Sequence, residues 1–421
     1  MRNVTLKRSW LALVGIASVA VVAAPAFAQG TGQSSRAGGE KKESAPTIDQ
    51  ATGKALNTAI EALGAEKYAD AQAAIATLKL DKLSPYERGK VEQILFNISY
   101  AQEKYGEARG HLQKAIDSGG LNEQEISTAR YQGAQLYMTE EKWKEGAAAL
   151  EEWFKTGNNA QTANSAAYYL LAVAYYQMEN YNKALPPAQK AVELMDKPQE
   201  GWISMLLALY LQKDQYKEAI PLLQRLINFV PDKKTYWMQL SAVYGQLEDY
   251  QNALAIMQLA YGAGLVTEDS EVRRLADLLL FNDVPYRGAQ VLEAGIEKKT
   301  VKVDDKLYEK LANCWIAAGE LEKSLQPLQK GAELASTGEM YVRLGEVNIQ
   351  REDWPGATAA LDRGLNKGML KDAANAQMLM GIALYNQKKL SEAKTWFQRS
   401  AQSEKHRQMS RGYLQLIESQ I

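Results

Sequence analysis

From residue 51 onward, apolar residues recur at helical spacing in stretches of about a dozen residues. Short polar turns separate the stretches. The segment 201–232, GWISMLLALYLQKDQYKEAIPLLQRLINFVPD, shows the plan. Ile203, Leu206, Leu207 and Tyr210 line one side of a first predicted helix. Lys213, Asp214 and Gln215 make a polar turn. Ala219, Ile220, Leu223, Leu226 and Ile227 form a second stripe, and Pro231 ends it, because proline cannot extend the hydrogen-bond ladder. The same two-helix plan returns at 168–194, 236–264 and 341–365. No strand is expected between Ala71 and Ala393.

The plan is periodic. Ala71, Ala108, Gly146, Ala184, Ala219, Ala253, Ala289, Ser324, Ala357 and Ala393 follow one another at intervals of 33 to 38 residues. Three positions before each stands Tyr68, Tyr105, Trp143, Tyr181, Tyr216, Tyr250, Tyr286, Leu321, Trp354 or Leu390. A period of this length with two helical stripes per unit predicts stacked helical hairpins. We name the two helices of each hairpin A and B. A small residue near the start of helix B lets the two backbones approach, where a large one would overpack the contact. Aromatic residues fill the wider gaps, and the 22 Tyr against 6 Phe suit positions where a ring is buried and a hydroxyl reaches the rim. Each unit in such a stack touches only its neighbours, so 421 residues need not split into several globular cores.

These features resemble the tetratricopeptide repeat (TPR) family. The family pattern runs Trp, Leu-Gly, Tyr, small, aromatic, Ala, Pro. Leu344, Gly345 and Ala357 fit it in one unit, Trp237, Leu240 and Tyr244 in another, and Pro231 fits the closing proline. The resemblance covers residues 51–403. It implies an all-α fold, a right-handed α-solenoid of about ten hairpins. The first two units fit least well, with Tyr100 and Tyr105 five apart where six is usual. The unit at 268–299 also looks degenerate, because Arg273 and Asp277 fall where bulky or small apolar residues belong. Residues 404–421 read as a C-terminal capping helix with Met409, Tyr413, Leu414 and Ile417 on its apolar stripe.

The first 28 residues stand apart. Arg2, Lys7 and Arg8, an apolar run from Trp10 to Ala24, and Ala26-Phe27-Ala28 make a cleavable secretory signal. Residues 29–50 are rich in Gly, Ser and charge, and read as a flexible linker. The expected location is the periplasm, with no integral membrane segment after cleavage. Formal charge is −1 with no long block of one sign, which gives no support to nucleic-acid binding. Cys314 is the only cysteine, so no internal disulfide can form, and it reads as a small buried residue.

Candidate chemistry is sparse. His111 and His406 lie far apart without a partnering Cys or His, so zinc spacing is missing, and both read as surface residues. No GxxxxGK[ST], GxGxxG or GxSxG segment occurs. No cofactor, metal or catalytic residue is expected, and the chain does not read as an enzyme. In the family, the inner faces of the A helices line a binding groove. That alignment places Tyr131, Gln135, Met138, Tyr169, Val173, Tyr176 and Gln177 on it, continued by Met238, Ala242 and Gln246. Such a surface suits a protein or peptide partner. The alternative for each residue is packing against the following hairpin. The basic clamp that some members use for a C-terminal carboxylate is not assembled here, since Asn313 stands with Glu309 where a Lys would be wanted.

A narrower resemblance is to periplasmic TPR proteins that accompany Ton-type energy-transduction components. It rests on Leu185-Pro186-Pro187, the stretch Tyr236 to Gly245, and Pro285-Tyr286-Arg287-Gly288-Ala289. It implies an accessory scaffold for TonB-dependent outer-membrane uptake, with Ton-system components as partners. The competing expectations are a scaffold in another envelope process, such as peptidoglycan, pilus or outer-membrane assembly, and a glycan-binding protein or enzyme.

Overall fold

The computed structural model describes residues 47–420 except 158, 160–162 and 198. The expected signal peptide (1–28) and most of the expected linker (29–50) lie outside the described residues. Within them the chain forms 21 α-helices, one short 3-10 turn at Leu80–Lys82 and no strand. No described helix is long and apolar enough to cross a membrane. Two compact units are distinguishable, one ending at Leu222 and one beginning at Leu223.

In the first unit, four hairpins follow in order: α1 (Gln50–Gly64) with α2 (Tyr68–Ala76), α3 (Pro85–Ala101) with α4 (Tyr105–Asp117), α5 (Glu123–Thr139) with α6 (Trp143–Lys155), and α7 (Ser165–Gln177) with α8 (Tyr181–Glu193). Helix α9 (Glu200–Gln212) comes next, and α10 (Tyr216–Phe229) carries the boundary between the units. The second unit continues with α11 (Lys234–Gln246) and α12 (Tyr250–Gly262), α13 (Asp269–Phe281) and α14 (Pro285–Glu297), α15 (Asp305–Ala317) and α16 (Leu321–Leu334), α17 (Glu339–Gln350) and α18 (Trp354–Lys367), α19 (Ala373–Asn386) and α20 (Leu390–Ser400), and a last helix, α21 (Glu404–Glu418). Within each unit every B helix packs on its own A helix and on the next one. Each unit is thus a stack of α-hairpins.

All ten A-to-B turns are built alike. The residue two before helix B has a left-handed backbone: Glu66, Glu103, Glu141, Glu179 and Asp214 in the first unit, then Glu248, Asp283, Gly319, Glu352 and Lys388 in the second. Its amide donates to the carbonyl three residues back, and the next amide donates five back. Glu248 N to Gly245 O is 3.1 Å and Asp249 N to Tyr244 O is 2.9 Å. This is a Schellman closure of helix A, a place that favours glycine. Only Gly319 supplies one. The paired hydrogen bonds and the packing of the following helix hold the other nine in a conformation that costs a non-glycine residue about 1–2 kcal/mol.

The small residues sit where the hairpin idea requires. Ala71, Ala108, Ala184, Ala219, Ala253, Ala357 and Ala393 are fully buried, as is Ser324, and Gly146 is buried too. Each is the fourth residue of its B helix. The facing A-helix residue lies twelve positions earlier, and there Ser241 donates its hydroxyl to Ala253 O at 2.9 Å.

One unit is out of step with the sequence-based alignment. Helix α14 begins at Pro285, a proline at the first helical position, so its fourth residue is Gly288 and not Ala289. Gly288 N donates to Val284 O, the same bond that Ala253 N makes to Asp249 O. A Cβ on Gly288 would stand 3.1 Å from Cys314 Sγ and 3.3 Å from Ala276 O. Counting from Gly288, the core positions of α13 are Val272, Leu275, Ala276 and Leu279, all buried. The unit at 268–299 is therefore a regular hairpin, and Arg273 and Asp277 never belonged to its core. Replacing Gly288 by leucine is expected to lower stability by about 1–3 kcal/mol through overpacking. A urea unfolding midpoint equal to wild type would contradict this register.

Helix α21 packs on α19 and α20. Its buried side carries His406, Ser410 and Ile417, with Tyr413 and Leu414 half-buried. Met409, expected on the buried stripe, is 56% exposed. The helix is rotated so that His406 can reach Asp372, a polar contact that the apolar pattern did not signal. His406 is accordingly buried, against the expectation of a surface histidine.

Candidate functional site

The ten residues expected on the A-helix face take different places. Met138, Tyr169 and Val173 are buried. Met138 lies over the small residue of its own hairpin, since a Cβ on Gly146 would be 2.8 Å from its sulfur. The ring of Tyr169 stacks on Trp202 of α9 with centroids 4.7 Å apart. Tyr131 is half-buried with its ring 4.9 Å from Trp153. Burial pushes the phenols of Tyr131 and Tyr169 up to about 12. Tyr176 is half-buried beside Tyr181, and Gln135 and Gln177 are half-buried. In the second unit Met238 and Ala242 are half-buried and Gln246 is exposed, with Met238 packed on the core around α13 and α15. Met138, Tyr169 and Val173 are thus occupied by packing within the first unit, the alternative that burial of a large side chain favours.

The corrected register shows what the same face carries further along. Met238, Ala242 and Gln246 precede Ala253 by fifteen, eleven and seven positions; Tyr131, Gln135, Tyr169, Val173 and Gln177 keep this spacing to their own small B residues, while Met138 and Tyr176 precede theirs by eight. From Gly288 this gives Arg273, Asp277 and Phe281; from Ser324, Glu309, Asn313 and Ala317; from Ala357, Val342, Glu346 and Gln350. Arg273 is tied into a network. Its Nε lies 2.9 Å from Asp269 Oδ1, and its Nη2 donates to Asp304 Oδ1 at 3.1 Å and to Lys302 O at 2.7 Å. Asp277 pairs with Lys310. Phe281 is 64% exposed with its ring 4.4 Å from Tyr250.

Beyond these, α15, α17 and the segment leading into α19 line a half-open cavity of about 360 Å³. Glu339, Arg343, Glu346 and Gln350 descend one side of α17, Glu309 and Ile316 face them from α15, and Val342 and Leu370 add apolar surface. Lys371 N donates to Glu339, and Asn375 Nδ2 donates to Glu346 at 3.3 Å. Lys306 lies 3.2 Å from Glu309. The wall nearest α19 is Asp372. It caps that helix by accepting from Asn375 N at 2.9 Å, and it takes Lys405 Nζ at 2.8 Å and His406 Nε2 at 2.8 Å from α21. The Lys405 ammonium and then the His406 ring hold its carboxyl far below the usual carboxylate range.

Two segments match sequence models of the tetratricopeptide repeat, residues 165–194 and 342–406. The first spans the whole hairpin α7–α8, and the second runs from α17 into α21 across the cavity wall. Among solved structures, a TPR protein from Parabacteroides merdae is 14% identical, with 72% of this chain and 100% of that one covered and a TM-score of 0.37. The C-terminal part of a TPR repeat-containing protein from Cytophaga hutchinsonii is 15% identical, with 58% and 98% covered and a TM-score of 0.38. YrrB, described as a TPR protein with an unusual peptide-binding site, is 19% identical, with 40% and 82% covered and a TM-score of 0.34. No curated protein matches the chain in sequence.

TPR hairpins suggest a protein-interaction scaffold. Among the described residues no group of three or more His, Cys, Asp or Glu side chains is placed to hold a metal. Cys314 is fully buried, and burial pushes its thiol up to about 11. The folded protein is expected to resist alkylation by iodoacetamide at pH 8, with full labelling only in denaturant. Rapid labelling of the native chain would show that α15 opens.

Proposed function

We propose that the chain is an exported scaffold that holds a segment of a partner protein against the A-helix face of its second unit. The observation that carries this is the 360 Å³ cavity between α15, α17 and the start of α19. Its lining joins apolar surface to fixed polar groups, the mixture that orients a bound chain. Helices present these groups, so the contact points are held in place before a partner arrives, and less ordering opposes association.

The basic, apolar and small-residue sequence of 1–28 supports secretion to the periplasm. The resemblance around Tyr236–Gly245 and Pro285–Ala289 supports a role accessory to TonB-dependent energy transduction, with Ton-system components as partners. A photo-crosslinking residue at Gln350 tests this in intact cells. The expected adducts join this protein to a Ton component in the periplasmic or envelope fraction. Adducts only with cytoplasmic proteins would overturn the location, and envelope adducts lacking any Ton component would overturn the Ton role.

A further inference from the structure

We infer that the cavity between α15 and α17 selects a partner segment through a lysine or arginine side chain. The inference rests on the binding face proposed above and specifies its chemistry. The cavity lining holds four carboxylates, Glu309, Glu339, Glu346 and Asp372, against two cations, Arg343 and Lys371. The carboxylates come from three separate elements, so the negative field converges on the space between them and does not follow one helix.

The four are not equivalent. Asp372 is saturated by Lys405, His406 and the Asn375 amide. Among the described residues Glu346 has only the 3.3 Å bond from Asn375 and no cationic partner, and Glu309 has only Lys306, whose side chain is 73% exposed and screened by solvent. Asn313, between Glu309 and Ile316 along α15 but outside the cavity lining, has a buried Oδ1 that accepts no hydrogen bond among the described residues. The unfilled groups on these two helices are thus acceptors. Arg343 stands between Glu339 and Glu346 on its own helix, so the α17 stripe carries two carboxylates for one guanidinium.

A lysine or arginine brings three to five N–H donors and no acceptor. Its aliphatic stem can lie on the apolar surface of Ile316 and Val342 while its head reaches Glu309 and Glu346. An acidic side chain in the same place would face both carboxylates across a partly desolvated space.

An array of random twelve-residue peptides probed with the purified full-length protein tests the inference. Retained peptides are expected to be enriched in Lys or Arg over Asp or Glu. The best of them should bind at least tenfold more weakly to the double variant Glu309→Gln/Glu346→Gln, and more weakly to the wild type at 0.5 M than at 0.05 M salt. Glu333→Gln, on the exposed side of α16, should bind as wild type does, and circular dichroism melts should show all three proteins folded. Retained peptides rich in acidic residues, or unchanged affinity in the double variant, would overturn the inference and leave the binding face standing. If the wild type retains no peptide of any composition, the binding face itself is refuted.

Discussion

Truncating Phe397 to alanine is expected to cost about 3–5 kcal/mol, the range for emptying a fully buried aromatic site. Phe397 has no exposed surface, and its ring is the surface on which the last hairpin closes. A Cβ on Gly381 would lie 2.8 Å from the ring, so α19 and α20 meet there with no spare volume. On its other side the ring stacks on Tyr413 of α21, centroids 4.6 Å apart and planes 5° from parallel. One residue therefore joins α19, α20 and α21. Neighbour-only contacts in a stacked array localise the damage. Amide hydrogen exchange should lose protection across α19–α21 while α1–α8 keep theirs. Loss spread evenly along the chain, or an unchanged exchange profile, would show that the closing contact lies elsewhere.

The second large effect is expected at Asp372. Asp372→Ala removes the cap of α19, worth about 1 kcal/mol. It also leaves the buried His406 without its partner, worth about 1–3 kcal/mol. The mostly exposed Lys405 adds little, because surface pairs are screened. Together the loss at pH 7 should be about 2–4 kcal/mol. Asp372→Asn keeps a capping side chain and should lose only the part owed to His406 and Lys405, about 1–2 kcal/mol. The pH dependence has a definite sign. The folded carboxyl titrates below its unfolded value of about 4, so its contribution is complete above that pH and disappears as the pH falls through the lowered folded value. Wild type and Asp372→Asn should therefore converge in urea midpoint as the pH is lowered below about 4. A gap that stayed constant into acid would mean that the carboxylate charge is not what holds α21.

Much of the architecture could be read from the chain. The helical stripes, the recurring small residues and the turn spacing define ten hairpins and a last helix, because each hairpin is a local unit whose two stripes must face each other. The one slip of register, at Gly288, was detectable as well: Pro285 is preorganised for the first position of a helix, and counting from it gives the correct alignment. The left-handed turns were not legible, since Glu66, Glu103, Glu141 and Glu179 carry no local preference for that conformation and are held in it by the helices on either side.

The face that presents polar groups was legible only in outline. Spacing from the small B residue nominates residues for the A-helix face, but it does not say which will be covered. Tyr169 and Met138 were expected on that face by alignment to the family pattern, and their size let them find partners within the stack, Trp202 and the space above Gly146. The sequence alone determined that this protein is a series of paired helices with small residues at each close contact, because that information lies within one repeat. Only the tertiary structure decided that α15 and α17 leave a cavity between them, that Asp372 closes it, and that a buried histidine from the last helix holds Asp372 in place. Those contacts join residues some thirty positions apart, on different repeats, and their geometry depends on how each hairpin settles on the next.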